Sequence, residues 1–236
     1  GTNALRYNTE GCYNNAIGGS VLQNNTTGSF NNAIGCRALC SNTTGANNTA
    51  LGNQTLQSNT TGNDNTAIGP YALLGNTTGS YNTAIGSTPL RCNIAGCHNN
   101  AMGYQSLYSS TSGSHNNAMG YQALAANTTG CDNVAIGWRT LCKNTTGACN
   151  TAIGHGALCK NTTGDNNFAV GCLALYSNTE GDENVALGTA AMRDATGGDK
   201  NVGIGSWALG NNTTGCCNVA LGPNSLEGNK TGCIRL

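Results

Sequence analysis

Cys142 and Cys159 stand seventeen residues apart, and so do Cys216 and Cys233, while Cys131 and Cys149 are separated by one residue more. Cys92 and Cys97 flank one short segment and Cys36 and Cys40 another. Thirteen cysteines without matched C-x-x-C pairs argue against a structural zinc site. Disulfides formed in an oxidising compartment suit these thiols, and the odd total leaves at least one free or joined to another chain. Rings recur at the same interval: Tyr104, Tyr121, Trp138 and His155. Such a column fits either a sugar-binding platform or a ladder that stacks on itself. Asp165, Asp182 and Asp199 repeat the spacing, and like charges so close need an offset, from calcium or from Arg193 and Lys200. No Ser-His-Asp set, phosphate loop or acid–base pair stands out, so the chain reads as non-catalytic, with no cofactor and no metal site.

The interval belongs to the whole chain. Glycine recurs every seventeen residues in two phases, from Gly1 to Gly222 and from Gly11 to Gly232, and the two series take 28 of the 35 glycines. Counted from the first phase, the unit reads G-x-x-A-L-x-x-N-T-T-G-x-x-N-T-A-I. A fixed short period means one unit stacked on itself. Two glycines per unit, with Asn and Thr between them, disfavour helix. The expected fold is all-β, a parallel β-solenoid (β-roll) of about fourteen 17-residue coils forming a single repeat domain over residues 1–236. N-T-A-I is the strand, Ala-Leu a second extended segment, and N-T-T-G a turn whose glycine takes positive φ.

Position 5 is Leu in every copy but Met192, and position 17 is always aliphatic, from Ile17 to Leu221. These two columns are expected to form the dry interior. Position 14 holds Asn from Asn14 to Asn218, which predicts an amide ladder along the stack. Position 16 is Ala in every copy but Gly203, which implies close approach of another backbone, either the opposite wall of the coil or a second subunit.

The N-T-T-G turn also writes N-x-T sequons at Asn25, Asn42, Asn59, Asn76, Asn127, Asn144, Asn161, Asn212 and Asn229, with further matches at Asn24, Asn47, Asn53 and Asn211. Exposed on one edge, these would make candidate N-glycosylation sites and a dense sugar coat. Asn and Thr are also simply good turn residues.

Charged residues are 8% of the chain and the formal net charge is zero, which excludes the basic patch of a nucleic-acid binder. No apolar run approaches the roughly 18 to 20 residues of a membrane-spanning helix. The Asn-led A-I-G step, as in Asn14 to Gly18 and Asn65 to Gly69, resembles the head repeat of the YadA-like trimeric autotransporter adhesins, and the longer unit is similar to fibre and tail-fibre repeats of bacteria and large viruses. That resemblance implies left-handed parallel β-rolls in an extracellular, multimeric, non-catalytic fibre. The expected function is thus a structural, adhesive filament at a cell or virion surface. The chain would be a segment or subunit of a longer fibre, and its partners would be itself and host or surface glycans. The alternatives are a carbohydrate-binding or an ice-binding β-solenoid.

Overall fold

The computed structural model describes residues 1–233. Its contacts group into two compact units, Gly1–Asn116 and Asn117–Leu236, each a parallel β-solenoid with one three-residue strand per 17-residue coil. The first unit holds β1 (Asn15–Ile17), β2 (Asn32–Ile34), β3 (Thr49–Leu51), β4 (Thr66–Ile68), β5 (Thr83–Ile85) and β6 (Asn100–Met102). The second holds β7 (Asn117–Met119), β8 (Val134–Ile136), β9 (Thr151–Ile153), β10 (Phe168–Val170), β11 (Val185–Leu187), β12 (Val202–Ile204) and β13 (Val219–Leu221). Within each unit successive strands pair in register, residue against residue seventeen further on, as in Ala67 with Ala84 and Ala135 with Ala152.

The remainder of each coil is a run of turns, and here the structure departs from expectation. The Ala-Leu segment is not a second strand. It places non-glycine residues in the left-handed region, as at Gln54 (φ 54°) and Leu56 (φ 52°), and the residue before the ladder Asn does the same, as at Asp64 (φ 56°). An L-residue there costs roughly 1–2 kcal/mol. Complete burial of Leu56 returns about 1.5–3 kcal/mol, which offsets the cost at Leu56 itself. The two glycine phases also differ. First-phase glycines such as Gly137 (φ 134°) adopt a backbone closed to other residues. Second-phase glycines do not have positive φ; they are required by space. A Cβ on Gly164 would lie 2.6 Å from the Gly181 carbonyl oxygen and 2.6 Å from Asn161 Oδ1.

The interior is likewise rearranged. From Leu22 to Leu209 the Leu column is fully buried, as expected, but its partner across the coil is the Ala column at position 16 and not the aliphatic column at position 17. Ile34, Leu51, Ile136 and Leu187 are about two-fifths exposed, and Ile17 more so at 62%. The coil is too narrow for two branched side chains, so the strand turns Ala inward and Ile outward. One coil demonstrates the pairing: Met192 is the sole substitute for Leu and Gly203 the sole substitute for Ala, and a Cβ on Gly203 would come 2.9 Å from Met192 Cγ. The longer side chain is matched by the missing methyl. The wall that restricts position 16 is therefore the coil's own.

Two amide ladders close the cross-section. At position 14, Asn82 Nδ2 donates to Asn65 Oδ1 (3.1 Å) and to the Gly96 carbonyl (2.9 Å), while its Oδ1 accepts from the Asn99 backbone N–H (3.0 Å). At position 8 a second ladder runs in the same way. Asn161 Nδ2 donates to Asn144 Oδ1 (2.8 Å) and the Gly164 carbonyl (2.9 Å). Position-9 threonines add hydroxyl bonds from coil to coil, as from Thr60 to the Thr77 carbonyl (3.0 Å). Stability thus comes from repeated nearest-neighbour hydrogen bonding around a thin apolar centre.

Candidate functional site

With the interior fixed by Leu, Ala and Asn, variation is confined to the outer positions, and two surfaces of the coil carry it. The first is the outward strand face. Positions 15 and 17 alternate outward while position 16 points in. Within each unit the face is therefore a pair of columns, aliphatic at 17 and Asn, Thr, Val or Phe at 15. Among the described residues, no charged residue stands in a strand.

The second surface is the turn face, positions 2, 3, 6 and 7. In the second unit it opens into a cleft of about 580 Å³. Trp138, His155 and Tyr176 supply rings to it, and Arg139, Lys160, Arg193 and Asp194 supply charge. The opening has a local cause. Position 3 carries Arg139 and Leu173 on the flanking coils but Gly156 (φ 66°) between them, and a Cβ there would already stand 3.0 Å from Leu173 Cδ2. Arg193 is oriented by two partners. Its Nε and Nη2 donate to Asp194 at 2.9 and 2.8 Å, and its guanidinium carbon lies 4.3 Å from the Trp207 ring centre. That pairing holds the Asp194 carboxyl below its ordinary range. Lys160 Nζ sits 5.0 Å from the Tyr176 ring centre and the Arg139 guanidinium 5.2 Å from that of Trp138.

Cys142 and Cys159 stack under this cleft, both 6% exposed. A hydrogen bond from the Cys159 thiol, opposed by burial and aided by the Arg139 guanidinium and the Lys143 charge, brings the Cys142 thiol down to about 6. The same bond, with burial, pushes Cys159 well above the ordinary thiol value. Once Cys142 is ionised, the Cys159 thiol is therefore the hydrogen-bond donor between the two adjacent coils.

No family model, curated protein or solved structure matches this chain. Its function has to be argued from these surfaces.

Several sequence expectations take a different form in the structure. The sequon Asn residues do not fringe an exposed edge. Asn25, Asn42, Asn59, Asn76, Asn127, Asn144, Asn161 and Asn212 are completely buried, and Asn229 is half-buried, with its Nδ2 donating to the Gly232 carbonyl. The nitrogen that a glycan would occupy is the donor of the position-8 ladder, so the folded coil has no room for sugar at these sites. Of the additional matches, Asn47 and Asn53 are exposed.

All thirteen cysteines are free thiols. The expected pairs Cys142–Cys159, Cys216–Cys233, Cys131–Cys149, Cys92–Cys97 and Cys36–Cys40 are therefore unbonded. Three of the pairs are nonetheless neighbours: Cys216 N donates to Cys233 Sγ at 3.3 Å, Cys149 N donates to the Cys131 carbonyl at 3.0 Å, and the Cys142 and Cys159 side chains hydrogen-bond to each other.

The aromatic column stacks on itself. Tyr121 and Trp138 lie 6.1 Å apart, and Trp138 and His155 4.7 Å apart and nearly parallel. Tyr104 occupies the same repeat position in the first unit, 46% exposed. A second ladder, Tyr81–His98–His115, stacks at 4.8 and 5.0 Å on position 13. Asp165, Asp182 and Asp199 are offset by backbone amides, with Asp165 Oδ1 accepting from Ala148 N and Asp182 Oδ1 from Asp165 N, each at 2.7 Å. Among the described residues no helix is long and apolar enough to cross a membrane.

The charged half of the cleft, Lys160, Tyr176, Arg193 and Asp194, was not legible as a site in the sequence. The available signal was Gly156, one of the few glycines outside both phases.

Proposed function

We propose that this chain is a subunit of an extracellular surface fibre and that it assembles with further copies of itself through the outward strand face. One observation carries the reading: an uncharged, aliphatic column stands outward on every coil of both units. Isolated exposed apolar residues are ordinary on a protein surface, whereas a contiguous column of them is the mark of a contact. Each half-exposed Ile or Leu has about 1 kcal/mol to gain on burial, and the gain repeats with each coil. The favoured occupant is a second copy, because only a partner with the same coil spacing can keep its ridges in step along the whole column. The absence of charge on the face leaves nothing for an oppositely charged partner to recognise. Placement outside the cell, and adhesion, rest on the resemblance of the N-T-A-I-G unit to adhesin and fibre repeats.

Sedimentation of wild-type protein and of Ile85→Asp and Ile153→Asp tests the reading. Wild type should sediment as a multimer and the variants as smaller species with an unchanged circular dichroism spectrum. Wild type that stays monomeric at all accessible concentrations would overturn it.

A second reading has its own observation. On β3, β4 and β5, Thr49, Thr66 and Thr83 form an outward column beside Leu51, Ile68 and Ile85. A flat, regular face of threonine and aliphatic side chains suits ice binding. A thermal-hysteresis measurement decides this: a freezing gap supports it, and none removes it.

A further inference from the structure

We infer that the cleft beside Gly156 binds acidic carbohydrate, a pyranose that carries a carboxylate, as in a uronic acid. Its volume of about 580 Å³ lies within the range of small-molecule sites, roughly 300–1,000 Å³. Three of the ten Lys and Arg residues in the chain line it, against one carboxylate. That leaves a formal surplus of two positive charges at one place on a protein whose net charge is zero. A carboxylate is drawn to that surplus of positive charge.

The remaining chemistry fits a sugar ring. Arg193 and Asp194, locked to each other, present fixed donors and an acceptor side by side, the pattern that neighbouring hydroxyls need. Lys160 and Arg139 supply the cationic end, and Arg139 Nε is buried without a hydrogen-bond partner. The Tyr176 ring offers an apolar surface for the C–H face of a pyranose. These groups are already oriented, by ring stacking or by the ion pair, so little ordering cost is left for binding.

The first unit supplies an independent parallel. Its turn face has a cleft of about 330 Å³ at the same repeat positions, lined by Tyr71, Arg91, Tyr104 and Tyr108 among others. Arg91 Nη1 there donates to the Tyr108 hydroxyl at 2.9 Å. Rings and an oriented guanidinium on this face therefore occur in both units, and the second unit adds the charge.

The test is calorimetric titration of the full chain with an oligomer of galacturonic acid and with a neutral galactose oligomer of equal length. The variants are Gly156→Leu, which fills the cleft, and Lys160→Met, which removes a cation while keeping the stem. Leucine at positive φ is already accommodated one coil away at Leu173 (φ 58°), so Gly156→Leu has a precedent in the same column. The acidic oligomer should bind wild type roughly tenfold or more tighter than the neutral one, and each variant should weaken it by about tenfold. Equal affinity for the two oligomers, no binding by folded wild type, or wild-type affinity in both variants would each overturn the inference. None of these results bears on self-association, which sedimentation reads separately.

Discussion

Replacing Asn82 by Ala removes one rung of the position-14 ladder, and the structure allows the cost to be worked out. Four side-chain hydrogen bonds disappear: two donated by Nδ2, to Asn65 Oδ1 and the Gly96 carbonyl, and two accepted by Oδ1, from Asn99 N and Asn99 Nδ2. Three of the stranded partners keep another bond. Asn65 Oδ1 still accepts from the residue-82 backbone N–H, the Gly96 carbonyl from Asn93, and Asn99 Nδ2 still donates to the Gly113 carbonyl. The Asn99 backbone N–H loses its acceptor in a residue with no exposure. An orphaned buried donor costs about 1–3 kcal/mol and each of the three other losses roughly 0.5–1.5 kcal/mol, so the total is about 5 kcal/mol. Repeat proteins open locally, so the assay should be local as well. Native-state hydrogen exchange of the Asn99 amide should accelerate by about a hundredfold or more, since each factor of ten is about 1.4 kcal/mol. Thr78→Ala, at an exposed turn position of the same coil, should stay within about 0.5 kcal/mol of wild type in urea unfolding. If Asn99 exchange is unchanged in Asn82→Ala, the ladder does not hold the coils together and the reasoning fails.

Three other outcomes are expected. In a host that attaches N-linked glycans, peptide mass spectrometry should find sugar at the exposed Asn47 and Asn53 and none at the buried Asn42, Asn59 or Asn144; occupancy at the buried set would contradict the ladder at position 8. Alkylation of Cys142 should follow a pH profile with its midpoint near 6, and Arg139→Ala should move that midpoint upward. Because this thiol is more acidic folded than unfolded, the stability it adds grows as the pH rises from about 6 towards the ordinary thiol value and is lost as the pH falls back towards about 6; above the ordinary value the raised Cys159 thiol works the other way. A melting temperature that does not differ in pH dependence between wild type and Cys142→Ser would refute the linkage. Gly203→Ala should destabilise β12 by about 1–3 kcal/mol through overpacking against Met192, and the double variant with Met192→Leu should recover most of it, as read from thermal melts. Additive losses in the double variant would show that the two residues do not face each other.

The glycine interval, the buried Leu column and the Asn14 ladder were all legible in the sequence, because each is a strict period that only stacking explains. What was not legible is which side of the strand faces in. Hydrophobicity ranks Ile above Ala for the interior, but the space between Leu141 and its facing strand admits only the methyl of Ala152, so Ile153 goes outside. The turn bias of Asn-Thr-Thr-Gly hid a second ladder, since Asn144 looks the same in sequence whether its amide points to water or into the stack. Leu56 at positive φ runs against intrinsic preference, so the sequence alone points to an extended Ala-Leu segment. The cleft was missed because its residues lie on four different coils, and it becomes visible only when Gly156 is seen as a gap between Arg139 and Leu173.

The chain contains its own reporters for the central claim. Its three methionines include Met102 and Met119 on the outward strand face, 38% and 41% exposed, and Met192 in the interior with no exposure. Mild peroxide treatment followed by peptide mass spectrometry reads the sulfoxide at each position, at low and at high protein concentration. The account predicts that Met192 is protected throughout, while Met102 and Met119 oxidise readily in dilute protein and become protected as it assembles. Met102 and Met119 as protected as Met192 in dilute monomer would place the aliphatic column inside the coil, and unchanged oxidation on assembly would remove the strand face as the contact between subunits.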